Sequence, residues 1–229
     1  MNRTRFHSSM IALAGACFLL TGCATGYMYK DLPVSKTSGT AGAGNTVTFK
    51  GSPLKLDGTA IKVGDQLRDT KLTTMPPDLK LVSLTDGNGK VRIVSIVPSL
   101  DTKVCEQQTH YLSEKNANLD RDIQLVTVSV DTPFAQKRFA EEAKIFNVTF
   151  LSDYRGGDFG RAHGLLVPDI HVLARTVMVV DKDNVVRYLQ VVPELASMPD
   201  MDAAFNAARK VADLPQPLPP LGSMGGFTY

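Results

Sequence analysis

The residues whose types and spacing could do chemistry lie in one stretch, Pro98-Ser99-Leu100-Asp101-Thr102-Lys103-Val104-Cys105. A nearly continuous apolar run at 91–97 reads as a buried central strand that stops at Pro98. Cys105 then falls in the first turn of the next predicted helix, where the positive end of the helix dipole and the free N–H groups favour a thiolate. Thr102 precedes it by three residues, so at helical spacing its hydroxyl can approach the sulfur. Pro98 has no N–H and can shape and dry one wall of a pocket. This set suits attack on a peroxide. Such a reaction needs an ionised nucleophile, hydrogen bonds that hold two oxygens in line with sulfur, and a nearby cation for the charge on the leaving oxygen.

The cysteine count sharpens that expectation. There are three, Cys17, Cys23 and Cys105. The chain opens with Arg3 and Arg5, followed by an apolar run at 10–20 that is too short to span a bilayer comfortably and reads as a targeting leader. The run ends in Leu20-Thr21-Gly22-Cys23, which resembles the lipobox of bacterial lipoproteins. That resemblance implies a signal peptide over 1–22, cleavage before Cys23, and lipid on its sulfur. Ala24, not Asp, follows the cysteine, which resembles outer-membrane sorting and implies a protein anchored there and facing the periplasm. Cys105 would then be the single thiol of the mature chain. A leftover cysteine in an oxidising compartment suggests a reactive thiol or an intermolecular bond. His7, His110, His163 and His171 show no zinc-type spacing with cysteine, so no metal is expected, and no other cofactor. A net charge of +2 with no basic stripe argues against nucleic acid.

The elements that must position these residues follow from pattern. Residues 23–45, rich in Gly, Ser, Thr and Ala, read as a flexible tether between lipid and domain. Residues 46–49 and 54–56 flank Lys50-Gly51-Ser52-Pro53 and predict a small hairpin. Apolar runs at 81–84 and 91–97 flank the turn cluster Asp86-Gly87-Asn88-Gly89. The Cys105 helix is predicted to run to about 119. A buried strand at 123–130 follows, and Asp131-Thr132-Pro133 then opens a helix to about 146, with a cap candidate and Pro in its first turn. A strand at 148–151, a brief helix at 159–163, a hairpin of 176–180 with 185–191, and a closing helix at 200–211 complete a domain over 46–212. The tail at 213–229 is rich in Pro and Gly and is expected to be disordered. Strands alternating with helices and ending in a hairpin make this an α/β sandwich with a mixed central sheet.

The segment at 98–105 resembles the Pro-x-x-x-Thr-x-x-Cys motif of peroxiredoxins. It is closer still to the thiol peroxidase subfamily, whose segment reads like Pro-Ser-x-Asp-Thr-x-Val-Cys. Asp131-Thr132-Pro133-Phe134-Ala135-Gln136-Lys137-Arg138-Phe139, Arg155-Gly156-Gly157-Asp158-Phe159, Leu173-Ala174-Arg175-Thr176 and Val47-Thr48-Phe49-Lys50-Gly51 resemble further blocks of that subfamily in the same order. The resemblance spans about 47–211. It implies a thioredoxin-like three-layer sandwich with an N-terminal hairpin, and members of the family often form dimers. It implies Cys105 as peroxidatic nucleophile, Thr102 orienting the peroxide, Arg175 as the cation that steadies thiolate and leaving oxygen, and Pro98 shielding the sulfur.

The departures set the expected cycle. Ala140 stands where the subfamily carries its resolving cysteine, so a sulfenic acid on Cys105 would have to be reduced by an external thiol, and it would risk overoxidation meanwhile. Leu67-Arg68-Asp69-Thr70 replaces the family's Ala-Pro-Asp-Phe, Lys103 replaces a common Gly, and Glu106 adds a negative charge after the cysteine. The expectation is a thiol peroxidase acting on hydrogen peroxide and organic hydroperoxides in envelope defence. Two alternatives are a catalytically degenerate scaffold and a redox sensor that forms a mixed disulfide with a partner. Of the remaining polar residues, Asp101 reads as a turn residue, His110 and His163 as structural or solvated, and Phe134 and Phe139 as core or pocket wall.

Overall fold

A computed structural model describes residues 26–87 and 89–215 of the chain. The leader, Cys17, Cys23 and the tail beyond 215 lie outside the described residues. In chain order the elements are β1 (Thr46–Phe49), β2 (Ser52–Lys55), β3 (Leu72–Thr74), β4 (Leu81–Val82), β5 (Arg92–Ile96), α1 (Lys103–Glu114), β6 (Gln124–Ser129), α2 (Pro133–Glu142), β7 (Thr149–Ser152), α3 (Asp158–Ala162), β8 (Leu166–Val167), β9 (Val172–Leu173), β10 (Thr176–Val180), β11 (Val186–Val191) and α4 (Met201–Val211). Seven strands form one mixed sheet in the order β11-β10-β5-β6-β7-β3-β4. The β5–β6 and β6–β7 pairs are parallel and the rest antiparallel.

The apolar strands at the centre of this sheet are buried on both faces, and period-two alternation divides them between two cores. Ile93, Leu125, Phe150, Val177 and Val179 face a layer with Cys105 and Leu112 of α1, Ala140 of α2, and Ala204, Phe205 and Ala208 of α4. Val94, Ile96, Val126, Val128, Met178 and Val180 face the opposite side, where Phe159 of α3, Val47 of the β1–β2 hairpin and Leu166 and Leu173 of the β8–β9 pair close the third layer. The three-layer α/β expectation and the N-terminal hairpin are therefore observed.

Three expectations are corrected. The two predicted helices end early, because a residue at positive φ breaks each run. Ala117 (φ 51°) and Asn118 (φ 64°) follow α1, while Lys144 (φ 56°) follows α2. The apolar run at 81–84 is strand over its first two residues only. Leu81–Val82 pairs with β3, and a 3₁₀ turn at Leu84–Gly87 carries the chain away to β5.

The third concerns the segment expected to be a tether. Residues 27–45 lie against the domain. Lys30 N donates to Gln107 Oε1 (2.7 Å) and Gln107 Nε2 returns a bond to Lys30 O (2.9 Å). Ser35 N donates to Met198 O, Met198 N to Pro33 O, and Gly39 N to Val191 O. The small residues that suggested flexibility instead permit close approach. A Cβ on Gly42 would sit 2.7 Å from Ala60 Cβ, and one on Gly164 2.5 Å from Gly42 N.

Candidate active site

The chain leaves β5 at the edge of the helix layer, and the next eight residues are built by hydrogen bonds from elsewhere. Asp131, in the segment that opens α2, pins this loop. Its carboxylate accepts from Ser99 Oγ (2.8 Å) and from Leu100 N (2.7 Å). The cap of α2 is Thr132, whose side chain accepts from Ala135 N. Thr102 caps α1, its Oγ1 accepting from Cys105 N at 3.4 Å. That bond uses an oxygen lone pair and leaves the exposed hydroxyl its own proton to donate. Pro98 is half-buried at the head of the loop, and Asp101 is an exposed turn residue as expected.

Cys105 is fully buried in the first turn of α1 and is the free cysteine among the described residues. Arg175, immediately before β10, reaches it across the domain. Its Nη2 donates to Cys105 Sγ at 3.4 Å, so the sequence-expected pair is brought together. The guanidinium is 2% exposed and its other donors go to neutral oxygens: Leu195 O from Nε (3.0 Å) and Nη2 (2.8 Å), and Gln108 Oε1 from Nη1 (2.7 Å). No carboxylate among the described residues forms an ion pair with it. A buried cation held only by neutral acceptors needs an anion, and the sulfur is the group placed to supply it. Lys103 is exposed, and Glu106 lines a surface cavity, so Arg175 is the cation in contact with the sulfur.

Two supports of Arg175 were not visible in the sequence. Gln108, one turn after Cys105, links the guanidinium to Ser95 Oγ of β5 (Nε2 to Oγ, 2.8 Å). Gln108→Leu leaves a charged donor buried without its acceptor, which costs about 1.5–3 kcal/mol. Stopped-flow peroxide reduction should therefore slow by about ten- to a hundredfold. The second support is Leu195 O, held by the β1–β2 hairpin. Leu195 N donates to Thr48 O, and the Glu194 carboxylate accepts from Thr48 Oγ1 (2.8 Å), Lys50 N (2.9 Å) and Gly51 N (3.1 Å). Burial alone would raise the Glu194 carboxyl. The N–H groups of Ala196, Gly51 and Lys50 and the Thr48 hydroxyl outweigh it and hold the group at about 2. Glu194→Ala frees this carbonyl and should lower the rate of peroxide reduction by roughly three- to tenfold through misplacement of Arg175.

The other sequence candidates fall outside the sulfur's contacts. His110 pairs with Glu114 (Nδ1 to Oε1, 2.7 Å), and His163 is buried, accepting from Arg68 N at Nε2 (3.1 Å). Phe139 lines the cavity walls beside α1, but Phe134 is exposed and belongs to neither core nor wall.

Residues 62–205 match the Redoxin family. The chain is 43% identical over 164 residues to the thiol peroxidase of Halalkalibacterium halodurans, covering 72% of this chain and 97% of that protein. It is 44% identical over 163 residues to the thiol peroxidase of Streptococcus pneumoniae strain R6, covering 71% and 98%. Among solved structures, a peroxiredoxin-like protein from Aquifex aeolicus superposes with a TM-score of 0.67 at 37% identity, over 72% of this chain and 96% of that one. The thiol peroxidase from Chromobacterium violaceum, at 20% identity and a TM-score of 0.64 over 72% and 95%, shares the fold.

Proposed function

The chain belongs to the redoxin family, in its thiol peroxidase branch, and from that premise we propose that it runs a one-cysteine cycle in the cell envelope. It is a thioredoxin-like peroxidase that reduces peroxides at the expense of thiols. The observation that carries the assignment of roles is the 3.4 Å contact between the buried Arg175 guanidinium and Cys105 Sγ. Cys105 sulfur bonds to one peroxide oxygen and the O–O bond breaks. The departing oxygen takes up a proton and leaves as water or an alcohol, while Cys105 becomes a sulfenic acid. Arg175 carries the charge that builds on the leaving oxygen, Thr102 orients the peroxide through its free O–H, and Pro98 keeps water from the sulfur.

Recycling then needs two thiols from outside. The first forms a mixed disulfide with Cys105 and releases water. The second takes the first as a disulfide and restores the thiol. Ala140, buried in the same core cluster as Cys105, supports this reading, since it offers no sulfur where the subfamily has one. Dithiothreitol-dependent consumption of hydrogen peroxide and cumene hydroperoxide tests the cycle. One peroxide equivalent without dithiol should leave a dimedone-reactive sulfenic acid on Cys105 and no intramolecular disulfide. Dimedone labelling without turnover would instead support a sensor, and neither signal a scaffold.

The envelope placement rests on Leu20-Thr21-Gly22-Cys23. No helix among the described residues is long and apolar enough to cross a membrane, so attachment would fall to the lipid on Cys23. Incorporation of labelled palmitate by cells, lost in Cys23→Ser, tests it.

A further inference from the structure

We infer that Gln107 and the docked segment at 27–35 form a brake on the thiol half of the cycle: they hold shut the turn of α1 that must open before an external thiol can bond to Cys105. This inference rests on the reading that an external thiol recycles Cys105.

The two halves of the cycle ask different things of the site. Hydrogen peroxide brings two heavy atoms to the sulfur. A thiol brings its carbon chain as well, because a mixed disulfide has an S–S bond of about 2.05 Å, a Cβ–Cβ separation of about 3.8 Å and a dihedral near 90°. Cys105 is fully buried, with Arg175 Nη2 on its sulfur and the helix-layer core around it. A wound first turn leaves no room for a second chain at that distance, so the turn must open. Opening breaks the bonds from Glu106 N to Thr102 O (2.9 Å) and from Thr109 Oγ1 to Cys105 O (2.8 Å). The first turn of a helix has no preceding turn to bond to, and left to itself it frays readily.

Here the turn is held from outside. Gln107, two residues after Cys105 and 5% exposed, gives both ends of its amide to the backbone of Lys30. Its Oε1 accepts from Lys30 N (2.7 Å) and its Nε2 donates to Lys30 O (2.9 Å). Further along α1, Tyr27 stacks on His110 with ring centroids 3.8 Å apart, and Tyr29 Oη donates to Glu114 (2.8 Å). The segment is fastened at its other end too. Leu32 packs against the helix-layer core, Ser35 N donates to Met198 O (2.8 Å) and Met198 N to Pro33 O (2.7 Å). Met198 lies three residues after Leu195, whose carbonyl holds Arg175. The segment therefore ties the helix of the nucleophile to the stretch of chain that holds its cation. The Gln107 bonds exist only while α1 is wound at that residue, so they stabilise the closed turn and not the open one. Two such bonds and a stacked ring shift an opening equilibrium by about ten- to a hundredfold. Peroxide attack uses the closed turn and does not need them. The sulfenic acid thus waits longer for a thiol, exposed meanwhile to a second peroxide.

The test compares the full wild-type chain with Gln107→Leu and, separately, with Tyr27→Ala combined with Tyr29→Ala, in two-stage stopped flow. Mixing with one equivalent of hydrogen peroxide gives the rate of sulfenic acid formation. Mixing next with the coloured thiol 2-nitro-5-thiobenzoate follows the second step, in which the S–O bond breaks, the S–S bond forms and water leaves. The thiol step should be about tenfold faster in each variant, with the peroxide step within twofold of wild type. Amide hydrogen exchange at 103–107 should rise by a similar factor. At excess peroxide the variants should gather less sulfinic acid per turnover. Gln107 is buried, so if its variant does not fold, the tyrosine pair decides alone. A thiol rate that rises in neither folded variant overturns the brake and leaves the external-thiol cycle standing. A wild-type sulfenic acid that does not react with the thiol overturns both.

Discussion

Cys105→Ser is expected to abolish dithiol-dependent peroxide consumption, and Arg175→Met to lower the second-order rate constant by about a hundred- to a thousandfold, with the fold retained. The serine loss follows from the chemistry, since no second thiol is available among the described residues to take over the attack. The size of the Arg175 effect follows from geometry. The guanidinium is buried, with no carboxylate partner, and its Nη2 reaches Cys105 Sγ at 3.4 Å while Leu195 O and Gln108 Oε1 hold the rest of the fork. Its positive charge is therefore directed at the sulfur and at the oxygen that would leave from it, in a site from which water is excluded. Arg175→Lys keeps the charge but cannot bridge three acceptors at once, so it should fall between wild type and Arg175→Met. Iodoacetamide alkylation at neutral pH gives a readout independent of peroxide. It should slow in Arg175→Met if the guanidinium stabilises anionic sulfur. Equal peroxide rates for wild type and Arg175→Met would remove Arg175 from the mechanism.

What the sequence made legible was local. Pro98, Thr102 and Cys105 lie within eight residues, so strand end, cap and nucleophile can be read from spacing, and α1 does begin after Thr102 with Cys105 in its first turn. The β10–β11 hairpin was legible for the same reason, as two apolar runs around Asp181-Lys182-Asp183-Asn184. Arg175 was reachable by resemblance alone, since nothing in its local pattern says it will cross seventy positions to a sulfur. Its supports were not reachable. Gln108 on a helix and the backbone carbonyl of Leu195 acquire meaning only when α1, β10 and the 193–196 segment converge. The strands of two or three residues, β3, β4, β8 and β9, are too short to show a period. The segment at 27–45 misled by composition. Its glycines lie where backbones touch, at Gly42 against Ala60 and Gly39 against Val191, and Tyr27 and Tyr29 dock through side-chain contacts with His110 and Glu114 of α1 that composition does not show. Low complexity is a poor guide to freedom when small residues are selected for close approach.

Acidification should destabilise the fold over a defined window, through His163. This imidazole is fully buried beneath the 58–68 segment. Its Nε2 accepts from Arg68 N (3.1 Å) and its Nδ1 donates to Phe159 O (2.8 Å), so both nitrogens are used by the neutral ring. Burial lowers its pKa from 6.5 to about 4, the Phe159 carbonyl opposing this and the nearby Arg68 charge adding to it. The unfolded chain takes up the proton first as pH falls, so the folded state loses stability from about pH 6.5 downward until the folded ring also titrates near 4. Above pH 6.5 the contribution is fully present. Across the window the loss reaches an upper value of about 3 kcal/mol, at about 1.4 kcal/mol for each tenfold difference in proton affinity between the folded and unfolded chain. That is a large share of the about 5–15 kcal/mol that holds a domain of this size together. Urea unfolding at pH 7.5 and pH 4.5 measures it, with His163→Gln as the comparison. Glutamine can still accept from Arg68 N but does not titrate, so the variant should lose some stability at pH 7.5 and then lose less than wild type on acidification. A wild-type pH dependence reproduced in full by His163→Gln would assign the acid sensitivity elsewhere, with Glu194 the next group to examine at lower pH, because its depressed carboxyl contributes stability above about 4.5 that is lost as pH falls toward 2.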